Sequence, residues 1–425
     1  MMEQRDKKTR IRRTNEQLDK EVISELEKLV GELGFGNVNL SALMKAADLE
    51  ANVFYRRYGS MDNLYDILAK QYDFWINNTI DISTLNTLGP KKFFAETFKT
   101  LFRNLSENNV MQKLLLYEMT TINSTTKRSA EAARRCKESG FDGIELHCAH
   151  GYLLAEFLSS YVNKRTDEYG GCFDNRVRIV DEILAAMREK VGDFPIQVRV
   201  SSREFVQGGR TEAETYQLVK HLERIGFDAI HVSNGVYAAP AEKQIIAPMF
   251  TDHALNMERS YNIKKIVDIP VILANRINEP GMADILLDMD KCDFVGMARG
   301  SLADPMLPKK AKEGKMDQIN YCIGCLQGCE WALFDGKGVT CLVNPRVGRE
   351  YECDLTPVKE PKNVMVVGGG PAGLMAARTA AIRGHNVSLY ESKNSLGGQF
   401  ESAAYPIGKG ELSTFTSSMR ANLEA

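Results

Sequence analysis

Four cysteines, Cys322, Cys325, Cys329 and Cys341, form a C-x2-C-x3-C-x11-C array. Soft thiolates at this spacing let one loop enclose a metal centre, and two centres satisfy them: a four-iron (4Fe-4S) cluster or a tetrahedral zinc ion. A second group is His147, His150 and Tyr152. Two imidazoles three residues apart can hydrogen-bond one carbonyl oxygen, and a nearby phenol can supply a proton. Seen alone, such a histidine pair is more often structural or metal-binding. The third group is Gly368-Gly369-Gly370-Pro371-Ala372-Gly373, with Glu391 downstream. Glycines here permit a tight turn that brings a pyrophosphate onto a helix amino terminus, while the carboxylate can take ribose hydroxyls.

These groups need elements to hold them. Up to about residue 127 apolar residues recur at helical steps: Leu18, Val22, Ile23, Leu26, Leu29, Val30 and Leu33, then short helices over 40–47 and 51–58 across a turn at 48–50. That spacing is the one a helix-turn-helix uses, and longer helices are expected over 62–77 and 91–120. Lys7, Lys8, Arg10, Arg12 and Arg13 precede the first helix, and Arg56 and Arg57 sit on the third. They either neutralise DNA phosphates or form an ordinary solvated surface. Beyond residue 127, helix and strand alternate, with a helix over 129–139 and strands over 143–147, 195–200, 229–232, 270–274 and 293–297. The alternation argues for a parallel sheet, and the chemical side chains cluster at the strands' carboxyl ends. A strand over 363–367, the glycine turn, a helix to 384 and a strand over 386–390 complete a nucleotide-binding unit.

Bulk composition narrows the setting. A net charge of -2 gives no global basic field, so any DNA contact must be local. The apolar runs at 269–274 and 364–367 are far too short for a membrane span, and no apolar segment follows the charged start, so a cytoplasmic location without membrane contact is expected. Nine cysteines, an odd number, fit a reducing compartment; Cys136, Cys148, Cys172, Cys292 and Cys353 read as packing thiols.

Two resemblances follow. Residues 14–75, including Val53-Phe54-Tyr55-Arg56-Arg57-Tyr58-Gly59, resemble the DNA-binding domain of the tetracycline repressor family, with Met61 where that family usually has lysine. The likeness implies DNA contact through Asn52, Tyr55, Arg56 and Tyr58. Residues 129–425, including Tyr169-Gly170-Gly171 and Asn175-Arg176, resemble the old yellow enzyme family, in its iron-sulfur branch of 2,4-dienoyl-CoA reductase and 2-enoate reductase. This implies an NAD(P)H:flavin oxidoreductase in which electrons reach FMN through FAD and a 4Fe-4S cluster and reduce an α,β-unsaturated carbonyl substrate. His147 and His150 would hold the carbonyl and Tyr152 deliver the proton. Arg199 would face the flavin; Asn275, Arg276, Ile277, Ala298 and Arg299 would grip its phosphate. Gly368, Gly370, Pro371, Ala372, Gly373, Glu391 and Gln399 would hold FAD, and Cys322, Cys325, Cys329 and Cys341 the cluster.

The fold expected is multidomain: an all-α helix-turn-helix domain over 1–75, a helical regulator remnant over 76–127, and a partial (β/α) TIM-type barrel of strands 4–8 over 128–317. An iron-sulfur loop over 318–356 and the start of a Rossmann-like FAD domain over 357–425 follow. Three functions stay open: an ene-reductase with an appended DNA-binding domain, a transcriptional regulator with a redox-sensing half, and a non-functional fusion of two truncated proteins. A homo-oligomer is compatible with each.

Overall fold

The computed structural model describes residues 13–33, 38–61, 63–65, 67–68, 108, 110, 122–239, 245–353 and 355–424. The chain divides into two compact units at residues 128 and 129. Most of the expected helices over 62–77 and 91–120 lie outside the described residues.

In the first unit α1 (Asn15–Leu33), α2 (Leu40–Ala46) and α3 (Ala51–Tyr58) surround one apolar core. Val22, Leu26, Val30, Leu43, Phe54 and Leu64 meet there, as the helical period of α1 requires. Asn39 caps α2 by accepting the Ala42 N–H. Arg13 is spent structurally: its guanidinium donates to the Ala47 and Asp48 carbonyls that end α2.

The second unit opens with α4 (Ile122–Glu138), which begins several residues earlier than the sequence suggests. A singly wound series follows: β1 (Ile144–Cys148), α5 (Leu153–Leu158), α6 (Phe173–Val191), β2 (Ile196–Ser201), α7 (Glu212–Ile225), β3 (Ala229–Ser233), α8 (Met257–Lys264), β4 (Val271–Ala274), α9 (Pro280–Asp288), β5 (Phe294–Gly296), α10 (Ala298–Ala303) and α11 (Leu307–Lys312). The five strands are parallel and lie in strict chain order. A doubly wound sheet would reverse direction at a switch point, so sequential order is the barrel arrangement.

Alternation along the strands separates two faces. Leu146, Val198, Val200, Ile230, Val232, Val271 and Leu273 are buried on one. Glu145, His147, Gln197, Arg199, His231 and Ser233 share the other, because the register pairs Glu145 with Gln197, His147 with Arg199, and Arg199 with His231. The inner face of these first three strands is therefore polar and internally bonded: Glu145 accepts from Gln197 at 2.7 Å and pairs with His231 Nδ1 at 2.6 Å.

After the cysteine segment come β6 (Asn363–Val367), α12 (Pro371–Ile382), β7 (Asn386–Tyr390), α13 (Gln399–Ala403) and α14 (Leu412–Glu424). β6 and β7 pair in parallel, and Leu374, Phe415 and Met419 pack this part against Ile323 and Val343 of the cysteine segment. No helix among the described residues is long and apolar enough to cross a membrane.

Candidate active site and cofactor sites

His147 is the penultimate residue of β1, and beyond Cys148 the chain turns sharply. His150 adopts the left-handed region at φ 69°, a conformation that costs free energy for a residue other than glycine and is retained where tertiary contacts impose it. Two serines impose it here. The His150 N–H donates to Ser201 Oγ at 3.0 Å, and its Nε2 lies 2.7 Å from Ser233 Oγ. The His147 and His150 rings stand edge to face at 4.9 Å, and the Tyr152 ring is 5.2 Å from His147. Three residues close in sequence are thus brought onto one strand end. Tyr152 is half exposed and its hydroxyl meets that of Tyr237 at 2.9 Å.

Electrostatics keep both imidazoles neutral. Burial, aided by Arg199, pushes His150 down to about 2 and lowers His147 in the same direction. Burial pushes Tyr237 up to about 12, and its bond to Tyr152 adds to the shift. Burial works to raise the Glu145 carboxyl, but His231, Arg199 and Gln197 together hold it below its ordinary value. Cys148, on the buried side of the same strand, is pushed up to about 12 by burial and is no nucleophile.

Arg199 sits beside His147 on the inner face, giving one bond to Ser233 at 3.3 Å. Its Nε, together with His147 Nδ1 and His231 Nε2, is buried without a protein partner. Orphaned donors and acceptors facing one side of a sheet suit a polar, planar cofactor such as FMN.

The expected phosphate grip differs in one member. At the end of β4, Asn275 and Arg276 take φ values of 96° and 57°. Asn275 is occupied by Ala247, Asn234 and Ile245. The Arg276 guanidinium points away, donating to the Thr251 and Met249 carbonyls and pairing with Glu411, which also accepts from His253 at 2.8 Å. Its side chain is therefore committed to Met249, Thr251 and Glu411, and only its main chain remains for a phosphate. Ile277 is buried below. Ala298 opens α10, and Arg299 donates to the Ala247 carbonyl at 2.8 Å while lining the cysteine cavity.

Cys322, Cys325, Cys329 and Cys341 line one cavity, walled by Ile323, Leu326, Leu342 and Val343. Leu326 at φ 59° leads into a π-helical turn, Gln327–Trp331, that presents Cys329. Gly328 backs onto the chain near Cys341: the Thr340 N–H donates to its carbonyl at 2.7 Å, and a Cβ there would lie 2.6 Å from the Thr340 oxygen. Burial raises the Cys322 and Cys341 thiols, so positive metal charge is needed to hold them as thiolates. Among the described residues, no three His, Cys, Asp or Glu side chains converge tightly enough for a single ion.

The glycine turn is built for close approach. A Cβ on Gly373 would lie 1.9 Å from the Gly368 carbonyl oxygen, whereas Gly370, just before Pro371 and Ala372 at the start of α12, faces open space. Glu391 accepts the Gly369 N–H at 2.7 Å, and the N–H groups of Lys393 and then Gly369 hold its carboxyl below the usual range. Gln399 begins α13 beside Gly398, which abuts Gly370.

In the first unit Asn52, Tyr55 and Arg56 are exposed on α3. Tyr58 is not: it is buried and donates its hydroxyl to Asp19 at 2.7 Å, so the expected DNA contact is replaced by a core one. Arg57 also pairs with Asp19.

The sequence pattern of the NADH:flavin oxidoreductase / NADH oxidase family matches residues 93–318, more than half of the chain. The chain belongs to that family. The pattern of the FAD dependent oxidoreductases matches residues 363–415. The family match thus begins upstream of α4, within the stretch that the sequence assigns to a regulator remnant. An NADH oxidase of Thermoanaerobacter brockii is 44% identical over 307 residues, covering 71% of this chain and 46% of the relative. A cinnamate reductase of Clostridium sporogenes is 36% identical over 307 residues, covering 68% and 46%. A solved 2-naphthoyl-CoA reductase complex aligns with a TM-score of 0.68 at 33% identity, over 71% of this chain and 46% of that one. The chain spans less than half the length of these relatives. Their likeness makes the parallel sheet part of a TIM-barrel-like flavin oxidoreductase fold.

No motif in the sequence marks Ser233, Ser201 or Tyr237. Their one signal is position, at or just beyond the carboxyl ends of β2 and β3.

Proposed function

We propose that this chain is an ene-reductase-type NAD(P)H:flavin oxidoreductase that reduces the activated double bond of an α,β-unsaturated carbonyl compound. The observation that carries the reading is the convergence of His147, His150 and Tyr152 at the end of β1, beside Arg199. The bound FMN would supply hydride chemistry, with FAD and a 4Fe-4S cluster carrying electrons from NAD(P)H. Arg199 and the main chain of Asn275, Arg276, Ile277, Ala298 and Arg299 would hold FMN. The 368–373 turn, Glu391 and Gln399 would hold FAD, and the four cysteines the cluster.

The chain's own residues do the rest. His147 and His150, kept neutral, donate hydrogen bonds to the substrate carbonyl oxygen, where negative charge develops as the double bond is reduced. Tyr152 holds a proton at its hydroxyl for the α-carbon, and Tyr237 can return one to it across their shared bond. Similarity to a cinnamate reductase and a 2-naphthoyl-CoA reductase supports a conjugated acid or thioester as the substrate class. The test uses the flavin-loaded chain, reduced anaerobically with dithionite and mixed with an enoate or enoyl thioester. Flavin reoxidation with formation of the saturated product is expected; reduced flavin that persists would overturn the reading.

A DNA-binding role for the first unit is supported by α3, which displays Asn52, Tyr55 and Arg56 on one exposed stretch. We assign it as a tetracycline repressor-type domain appended to a cytoplasmic enzyme.

A further inference from the structure

We infer that Ser233 is a positioning residue that fixes His150 as the Nδ1–H tautomer, taking its own orientation from Arg199. A serine hydroxyl has one hydrogen to donate and two lone pairs to accept with. Arg199 Nη2, a donor in every protonation state that matters, approaches Ser233 Oγ at 3.3 Å. Ser233 Oγ therefore accepts from Arg199, and its single hydrogen needs an acceptor. His150 Nε2, at 2.7 Å, is the acceptor the structure offers. Were Nε2 protonated, Ser233 would face two donors and its own hydrogen would be left without a partner in a buried site, since Ser233 is fully buried.

The direction of the chain is thus Arg199 to Ser233 to His150. It leaves Nε2 as acceptor and puts the imidazole hydrogen on Nδ1. Ser201 holds the other end of the residue: it accepts the His150 N–H and donates to the Gly235 carbonyl at 2.8 Å, so backbone and ring are pinned by serines on adjacent strands. The inference rests on the proposed reading in giving the chain a purpose. An Nδ1–H is what a histidine needs to donate to a carbonyl, and a guanidinium at the far end of the relay polarises that donor as negative charge develops on the carbonyl oxygen.

The tautomer can be read without flavin or substrate, which separates this inference from the fate of the ene-reductase assignment. Histidine side-chain nitrogen NMR on the full chain labelled with 15N-histidine, with His150 assigned by its loss in His150→Gln, should show a protonated Nδ1 and a bare Nε2. Ser233→Ala should move His150 to a mixed or Nε2–H state, and Ser233→Thr, which keeps the hydroxyl, should retain Nδ1–H. An Nε2–H form in the unmodified protein, or an unchanged tautomer in Ser233→Ala, would overturn the inference. With the flavin-loaded chain, Ser233→Ala should also raise KM for the enoate by about tenfold, the loss of one good hydrogen bond, with the hydroxyl of Ser233→Thr recovering most of it.

Discussion

His150 is held neutral by burial, and the sign of the resulting pH dependence is fixed. The unfolded chain binds a proton at this residue near the ordinary histidine value of 6.5, while the folded protein does so only near about 2. Its contribution is therefore complete above 6.5 and falls as the pH is lowered, by about 1.4 kcal/mol per pH unit. Urea unfolding at pH 7 and pH 5.5 should show a smaller acid-induced loss for His150→Gln than for the unmodified chain; equal losses would contradict the assignment. Tyr152→Phe should lower kcat for enoate reduction by about 10²- to 10⁴-fold with KM little changed, as expected for removal of a proton donor. The site's sequence-local members were legible because His147, His150 and Tyr152 lie on one turn. Ser233 and Tyr237 were not, since their meeting with His150 and Tyr152 depends on strand register. Nor was the diversion of Arg276, whose partner Glu411 lies 135 residues away.

Between residues and fold, short segments carry the cofactor readings. Gly373→Ala places a Cβ against the Gly368 carbonyl and should abolish retained FAD while leaving the cysteine segment's iron intact. Gly328→Ala drives a Cβ toward Thr340 and should do the reverse, lowering iron per chain with FAD retained. Both are read by cofactor quantitation on purified protein. The five strands of the sheet and the two of the nucleotide unit follow the sequence closely because apolar runs bounded by turn residues mark them. The sequence does not mark the start of α4 at Ile122, because Asn123, Ser124, Thr125 and Thr126 are poor helix formers without an apolar period. The π-helical turn before Cys341 has no periodic signature at all. An apolar inner face is the ordinary expectation for barrel strands, yet Glu145, Gln197, Arg199 and His231 make this one polar, with Glu145 bonded to Gln197 and His231 while Arg199 Nε and His231 Nε2 keep no protein partner.

At the scale of the molecule the chain divides into two units, and each proposed chemistry is tested in its own. If α3 reads DNA, binding should be tightest at low salt, and Arg56→Ala should reduce the slope of log K against log salt by about one unit, measured by fluorescence anisotropy on promoter DNA. Tyr58→Phe should instead destabilise the first unit through loss of the Asp19 bond, without changing that slope. The second unit brings a candidate carbonyl site, a cysteine cavity and a dinucleotide turn into one body, as an electron relay needs. Its central claim is that this chain carries flavin and a four-iron cluster together. The most direct measurement is quantitation of iron, acid-labile sulfide, FMN and FAD on the anaerobically purified chain. The account predicts about four iron and four sulfide per chain with bound flavin, all iron lost in Cys325→Ser. One zinc per chain, or iron-free protein without flavin, would contradict it.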